Sequence, residues 1–123
     1  MQKDLLESLS IKMSDKKIRG GSLIARALRD KGIENVFTLS GGFCNPALEG
    51  LMECQIDVIN CPHEQIAGHI ADGHTRITRK PAVCLVGPEG FANAVPSMME
   101  AWGERSPVIL SLIHISEPTR LLA

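Results

Sequence analysis

Four short β-rich runs alternate with helix-patterned segments along this chain, and that alternation constrains the fold more than any other feature. Asn35 to Leu39, rich in Val36, Phe37 and Thr38, runs into Ser40-Gly41-Gly42. Asp57 to Cys61 stops at Pro62, residues 82 to 86 stop at Gly87-Pro88-Glu89-Gly90, and Pro107 to about Leu112 forms the fourth run. The third run contains the unbroken apolar string Val83-Cys84-Leu85-Val86, which suits a parallel strand covered on both faces. Strict alternation with short loops predicts a right-handed α/β stack, three layers around a mostly parallel sheet.

The helical segments have their own punctuation. Ser22 is a good N-cap, Leu23, Ile24, Ala27 and Leu28 recur at helical spacing, and Gly32 stands at the left-handed stop, giving a helix of about ten residues. Asn45 reads as the cap of a second helix with Pro46 at its first position and Ala47, Leu48, Leu51 and Met52 facing inward. His63 to about Thr78 is the longest helix, with Ile66, Ile70 and Ile77 on one stripe and Ala67, Gly68, Ala71 and Gly73 small enough for close backbone approach. Phe91 to Trp102 makes a fourth helix despite Pro96, which is expected to disturb one turn. Residues 1 to 19 form a charge-mixed lead segment, with Gly20-Gly21 separating it from the domain, and residues 111 to 123 do not continue the rhythm.

The 123 residues fit one compact domain, and 44% of them are hydrophobic. Thirteen Lys and Arg against fourteen Asp and Glu leave a net charge of −1, so no electrostatic footprint for nucleic acid or an anionic membrane is expected. Three Phe, one Trp and no Tyr give no aromatic platform for bases. The longest apolar runs fall far below the roughly 20 residues of a membrane helix. Lys3, Asp4, Glu7, Asp15, Lys16 and Lys17 give the N-terminus neither a secretory nor a transit character, so a cytoplasmic location is expected. Cys44, Cys54, Cys61 and Cys84 form no Cys-x-x-Cys pair and read as reduced core thiols. Cys61, His63, His69 and His74 lack the helical spacing of zinc ligands, so no metal is assigned to this chain.

Ligands of open α/β sheets settle at the carboxyl ends of the strands. Three loops there are unusual: Ser40-Gly41-Gly42 exposes bare backbone, Cys61-Pro62-His63-Glu64 places a carboxylate in a first helical turn, and Gly87-Pro88-Glu89-Gly90 precedes Asn93 by less than a turn. None matches Gly-x-Gly-x-x-Gly or a P-loop. Residue by residue, Gly41 and Gly42 read equally as a plain turn, Glu64 as a solvated acid, Glu89 and Asn93 as caps, and Asp72 as a structural acid. The residues alone reach an α/β domain with a ligand edge.

Leu23 to Leu110 resembles the pyrimidine-binding domain near the N-terminus of thiamine-diphosphate enzymes of the acetolactate synthase type, with their related decarboxylases, carboligases and 2-hydroxyacyl-CoA lyases. The resemblance rests on Leu28-Arg29-Asp30-Lys31-Gly32-Ile33, on Val36-Phe37 before Ser40-Gly41-Gly42, on His63-Glu64-Gln65 opening Ala67-Gly68-His69-Ile70-Ala71-Asp72-Gly73, and on Ser106-Pro107-Val108-Ile109. It implies the thiamine-diphosphate-binding fold, incomplete at its C-terminal edge, over residues 20–110. It also implies that Glu64 is catalytic: the matching carboxyl bonds N1′ of the cofactor's aminopyrimidine, favouring the 4′-imino form that generates the C2 ylide for attack on a 2-keto acid or acyl donor.

By the same resemblance Gly41 and Gly42 lie at the active-site mouth, and Gly90 and Asn93 pack against the pyrimidine. The family's Ser-Gly-Pro-Gly before Ala-Thr-Asn becomes Gly87-Pro88-Glu89-Gly90 before Phe91-Ala92-Asn93, keeping the second Gly and the Asn. His74 replaces the family's Tyr and reads as a packing residue. The magnesium-binding Gly-Asp-Gly string does not occur in these residues. Magnesium and diphosphate are therefore expected on a diphosphate-binding domain of a second subunit, in a parent homodimer or homotetramer whose middle domain can carry FAD.

The expected activity is that of a lyase or carboligase acting on a 2-keto acid or acyl-CoA type substrate, with this chain inactive alone. The alternatives are a stand-alone pyrimidine subunit of a split decarboxylase and a non-catalytic α/β binding module. The string Ser111 to Ala123 does not resemble the family and reads as a foreign end.

Overall fold

The computed structural model describes residues 18–112. The elements follow in the order α1 (Gly20–Asp30), β1 (Asn35–Thr38), α2 (Asn45–Glu53), β2 (Asp57–Asn60), α3 (Glu64–Thr78), β3 (Ala82–Leu85), α4 (Phe91–Gly103) and β4 (Val108–Ser111), with single 3-10 turns at Gly42–Cys44 and Pro88–Gly90. The four strands form one sheet in the order β2-β1-β3-β4, and every neighbouring pair is parallel. The two central strands are the most buried: β1 at Val36, Phe37 and Thr38, and β3 at all four positions.

Pleating divides the strand residues between two cores. Val36, Val83 and Leu85 face α1 and α2, where Ala25, Ala47, Leu51, Cys54 and Ile56 close the first core. Phe37, Ala82, Cys84 and Val86 face the other side, where Ala67, Ala71 and Ala94 of α3 and α4 close the second. The three-layer α/β arrangement expected from the alternation is therefore present. On the α1–α2 side the cover stops short of β4: Ile109 is 47% exposed, and Ile24, Leu28, Val83, Leu85 and Ile109 line an apolar cavity of about 130 Å³. Among the described residues this side of β4 is left without a helix over it.

Several local expectations are corrected. Helix α1 begins at Gly20 after extended Arg19, so Gly20-Gly21 is helical and Ser22 is not its cap. Ser22 is instead buried in the first turn, where its hydroxyl donates to Glu53 Oε2 at 3.0 Å. The cause is backbone contact between α1 and α2. A Cβ on Gly21 would strike the Pro46 carbonyl, and one on Gly50 would lie 2.5 Å from Gly21 O. Close packing of two helices outweighs the low helix propensity of glycine here.

At α2 the 3-10 turn runs straight into the helix, so Cys44 rather than Asn45 holds the cap position and Pro46 is second. Met52 points outward, 66% exposed, because the buried line of α2 is Ala47, Gly50 and Leu51. On α3, Ala67, Gly68, Ala71, Asp72 and Thr75 face inward, and Gly68 meets Ser97 of α4 so closely that no side chain fits. Gly73 has open space about it and permits no close approach. The Ile66, Ile70 and Ile77 stripe lies on the outer face. Helix α4 runs through Pro96 without interruption.

All four cysteines are free and buried, as expected of core thiols. Ser111 belongs to β4, pairing with Leu85, so the sheet extends one residue into the segment expected to differ. Residues 1–17 and 113–123, the body of the lead segment and of the foreign end, lie outside the described residues. No described helix is long and apolar enough to cross a membrane.

Candidate active site

The strand ends are tied together before any ligand group is presented. Thr38 Oγ1 at the end of β1 donates to Leu85 O at 2.7 Å, and Asn60 Oδ1 at the end of β2 accepts from Ser40 N at 3.1 Å. The amide of Cys61 donates to Thr38 O at 2.7 Å. These polar strand-terminal residues hold the three loops in register, a role the sequence analysis did not assign to them. For Thr38 the signal was available: a polar residue closing an apolar strand has to find a partner when buried.

His63 caps α3 with extended backbone, and its Nδ1 accepts from Gln65 N at 3.1 Å. That bond places the hydrogen of the neutral ring on Nε2, which lies 4.0 Å from Glu64 Oε2. Glu64 begins the helix, so its carboxylate sits where free backbone amides and the helix dipole favour negative charge. Its side chain is 13% exposed. Asn93, in the first turn of α4, donates from Nδ2 to Glu64 Oε2 at 3.3 Å. Gly90, just before α4, lies against the same carboxyl: a Cβ there would be 2.7 Å from Oε1 and 2.8 Å from Cγ.

Three of the five expected site residues, Glu64, Gly90 and Asn93, therefore meet. Gly41 joins them through Glu89, whose Oε1 would lie 3.7 Å from a Cβ on Gly41. Gly42 opens the first 3-10 turn with open space about its α-carbon. His74 is remote from this edge, more than two turns along α3, and its ring packs on Phe37 at 5.5 Å between centroids. Asp72 is also structural: Arg76 donates to both its oxygens, at 3.1 and 2.7 Å, and reaches on to Glu100 of α4 at 3.4 Å. The Arg76 guanidinium holds the Asp72 carboxyl below its usual range.

Three buried thiols lie near these loops, Cys44 in the first core and Cys61 and Cys84 in the second. Burial raises Cys44 and Cys61, and burial with the nearby Cys61 and Glu64 pushes Cys84 up to about 12. They stay protonated at neutral pH and are poor nucleophiles. Among the described residues no three His, Cys, Asp or Glu side chains gather in a way that could hold a metal ion.

A parallel three-layer domain with one nearly buried carboxyl at its strand ends, steadied by an amide and faced by bare glycine, belongs to the class of doubly wound cofactor-binding domains. The family is more specific. Residues 18–120 match the model of the thiamine pyrophosphate enzyme, N-terminal TPP binding domain, and the chain belongs to that family.

A probable acetolactate synthase of Mycobacterium bovis is 38% identical over 94 residues, covering 76% of this chain and 17% of that protein. The 2-hydroxyacyl-CoA lyase 2 of Mus musculus is 37% identical over 109 residues, covering 86% and 17%. Among solved structures, the thiamine diphosphate-dependent 4-hydroxybenzoylformate decarboxylase of Rhodococcus jostii superposes with a TM-score of 0.69 at 21% identity, over 76% of this chain and 18% of that one. That likeness concerns the fold. The chain thus spans less than a fifth of the length of the relatives it matches, and the resemblance read from His63-Glu64 and its neighbours is family membership.

Proposed function

We propose that this chain provides the aminopyrimidine-binding half of a thiamine-diphosphate-dependent active site, in a lyase or carboligase acting on a 2-keto acid or acyl-CoA type substrate. The observation that carries the proposal is the setting of Glu64. Its Oε2 is engaged by Asn93, while Oε1 faces the bare α-carbon of Gly90 and keeps acceptor capacity for one further partner. A flat heteroaromatic ring with a protonatable nitrogen fits that demand.

When bound, thiamine diphosphate supplies a nucleophilic carbon and an electron sink for cleavage or formation of the bond next to a carbonyl. Glu64 holds the proton shared with N1′, and Asn93 keeps the carboxyl from turning away. Gly90 lets the loop after β3 lie close to Glu64, and Gly41 and Gly42 line the mouth. Such a relay contributes about 10²–10⁴-fold in rate when geometry is kept.

Magnesium and diphosphate fall to a diphosphate-binding domain of a second subunit, and FAD to a middle domain of the parent. Exposed apolar residues support a partner: Ile66, Ile70 and Ile77 on α3 and Val95, Met99 and Trp102 on α4 are all left to solvent among the described residues, with Ile77 85% and Trp102 82% exposed. Large apolar side chains exposed in number fit an interaction surface, and a homodimer or homotetramer would bury them.

The test combines this chain with a separately produced diphosphate-binding domain, magnesium and thiamine diphosphate, and follows 2-keto acid consumption. Turnover is expected from the combination and not from the chain alone. Glu64→Gln keeps the size and hydrogen-bonding reach but cannot exchange the proton, and should lower turnover by about 10²-fold or more. Full activity in that variant would remove Glu64 from the mechanism.

A further inference from the structure

The loops at the carboxyl edge of the sheet carry an unbalanced charge. Residues 39–44, 61–65, 86–93 and 111–112 contain no Lys or Arg, while Glu64 and Glu89 bring two carboxylates. Glu64 is accounted for by the site just described. Glu89 is not: it is exposed in the 3-10 turn Pro88–Gly90, and no cation among the described residues lies within ion-pairing distance of it.

Its position is nevertheless built. The carboxyl lies over the α-carbon of Gly87, where a Cβ would be 2.7 Å from Oε1 and 3.0 Å from both Cδ and Oε2. Oε1 is turned toward Gly41 of the neighbouring loop. Glu89 therefore bridges the first and third loops, and the next residue, Gly90, touches Glu64. Second to burial, the negative charge of Glu89 also helps to raise the Cys44 thiol at the end of the first loop.

We propose that Glu89 is a specificity-determining residue: it disfavours substrates carrying a second anionic group beyond the reacting carbonyl and carboxylate, and favours a cationic or hydrogen-bond-donating group there. The inference rests on the site assignment proposed above and goes beyond it by naming the charge of the substrate's far end. A like charge brought close to the Glu89 carboxylate is disfavoured and an opposite charge favoured. Because Glu89 is exposed, water and salt screen part of that effect.

The experiment uses the cofactor-loaded assembly of this chain with its diphosphate-binding partner. Two 2-keto acids of matched length are compared, one ending in a guanidinium and one in a carboxylate, together with the corresponding 2-hydroxy acids as non-reacting ligands for calorimetry. The guanidinium compound should have the higher kcat/KM and the lower Kd. Glu89→Gln should shrink both ratios by about five- to tenfold, Glu89→Lys should invert them, and added salt should narrow the wild-type ratio.

Ratios that stay the same in all three proteins overturn the proposal, as does a loss shared equally by both substrates, which is what a purely structural Glu89 would produce. Absence of turnover with every 2-keto acid overturns the proposed function instead. The 2-hydroxy acid Kd ratio then still decides Glu89, and failure of either acid to bind counts against it.

Discussion

The side-chain amide of Asn93 donates to Glu64 Oε2 across 3.3 Å, joining the first turn of α4 to the first turn of α3. The two residues are 29 positions apart, and the bond exists because β3 returns the chain to the edge where α3 begins. Asn93→Ala should lower turnover of the assembled site by about tenfold through loss of carboxyl orientation. Stability should change by about 1 kcal/mol or less, since Asn93 is exposed and water can take its place. Parallel kinetics and urea melts check this, and a large stability loss with normal kinetics would reverse the assignment.

Gly90→Ala probes the same carboxyl from the opposite side. A methyl there falls within 3.0 Å of Glu64 Oε1, Cγ and Cδ, so the acid has to move. Activity should fall as far as in Glu64→Gln, with a stability cost of about 1–3 kcal/mol. Gly42→Ala is the contrast, since nothing surrounds that position. It should leave the melting temperature unchanged, so any effect on cofactor affinity reports contact at the mouth.

The α1–α2 crossing should be the most fragile packing in the domain. Gly21→Ala directs a methyl into the backbone of Pro46 and Ala47, which cannot yield as a side chain can. We expect a loss of about 3 kcal/mol or more in a denaturant titration. Gly73→Ala, at an open helical position, should instead gain up to about 1 kcal/mol from helix propensity.

Cys84 should resist alkylation in the folded chain at pH 8 and react only on unfolding, as followed by thiol labelling against denaturant. Burial pushes its folded thiol up to about 12, whereas an unfolded thiol ionises near 9.0. Alkali therefore favours the unfolded state: the Cys84 contribution is intact below about pH 9 and is lost as pH rises from there toward 12. A melting temperature flat across that range would contradict the buried setting.

Asp72 shifts in the other direction. Its folded carboxyl is held down by Arg76, so its contribution is present above the unfolded value of 3.8 and disappears as pH falls below it. Asp72→Asn should flatten the acid limb of the stability profile. Unfolding midpoints measured from pH 5 to pH 2 check this, and identical slopes in both proteins would mean that the Asp72–Arg76 bridge contributes nothing.

The sequence by itself determined the alternation of strands and helices, the parallel sheet, the buried third strand and a ligand edge at the strand ends, while the candidacy of Glu64, Gly90 and Asn93 came from the family resemblance of its motifs. Those features are local: period, turn chemistry and a short run such as His63-Glu64-Gln65 are readable without knowing what lies opposite. Boundaries that depend on distant contacts were not readable. Ser22 resembled a cap until α2 came close enough to draw Gly20 and Gly21 into the helix and leave Ser22 bonded to Glu53.

Met52 and Gly73 carried the right periodicity for burial, but among the described residues Met52 is 66% exposed and a Cβ on Gly73 would meet nothing. Only the tertiary structure decided which small residues were contacts, that Asn93 reaches Glu64, and that Glu89 lies across Gly87 toward Gly41. The physical reason is that close approach of two backbones, and the meeting of side chains from separate loops, are fixed by the sheet order and by helix packing. Neither leaves a signature in the residues taken one segment at a time.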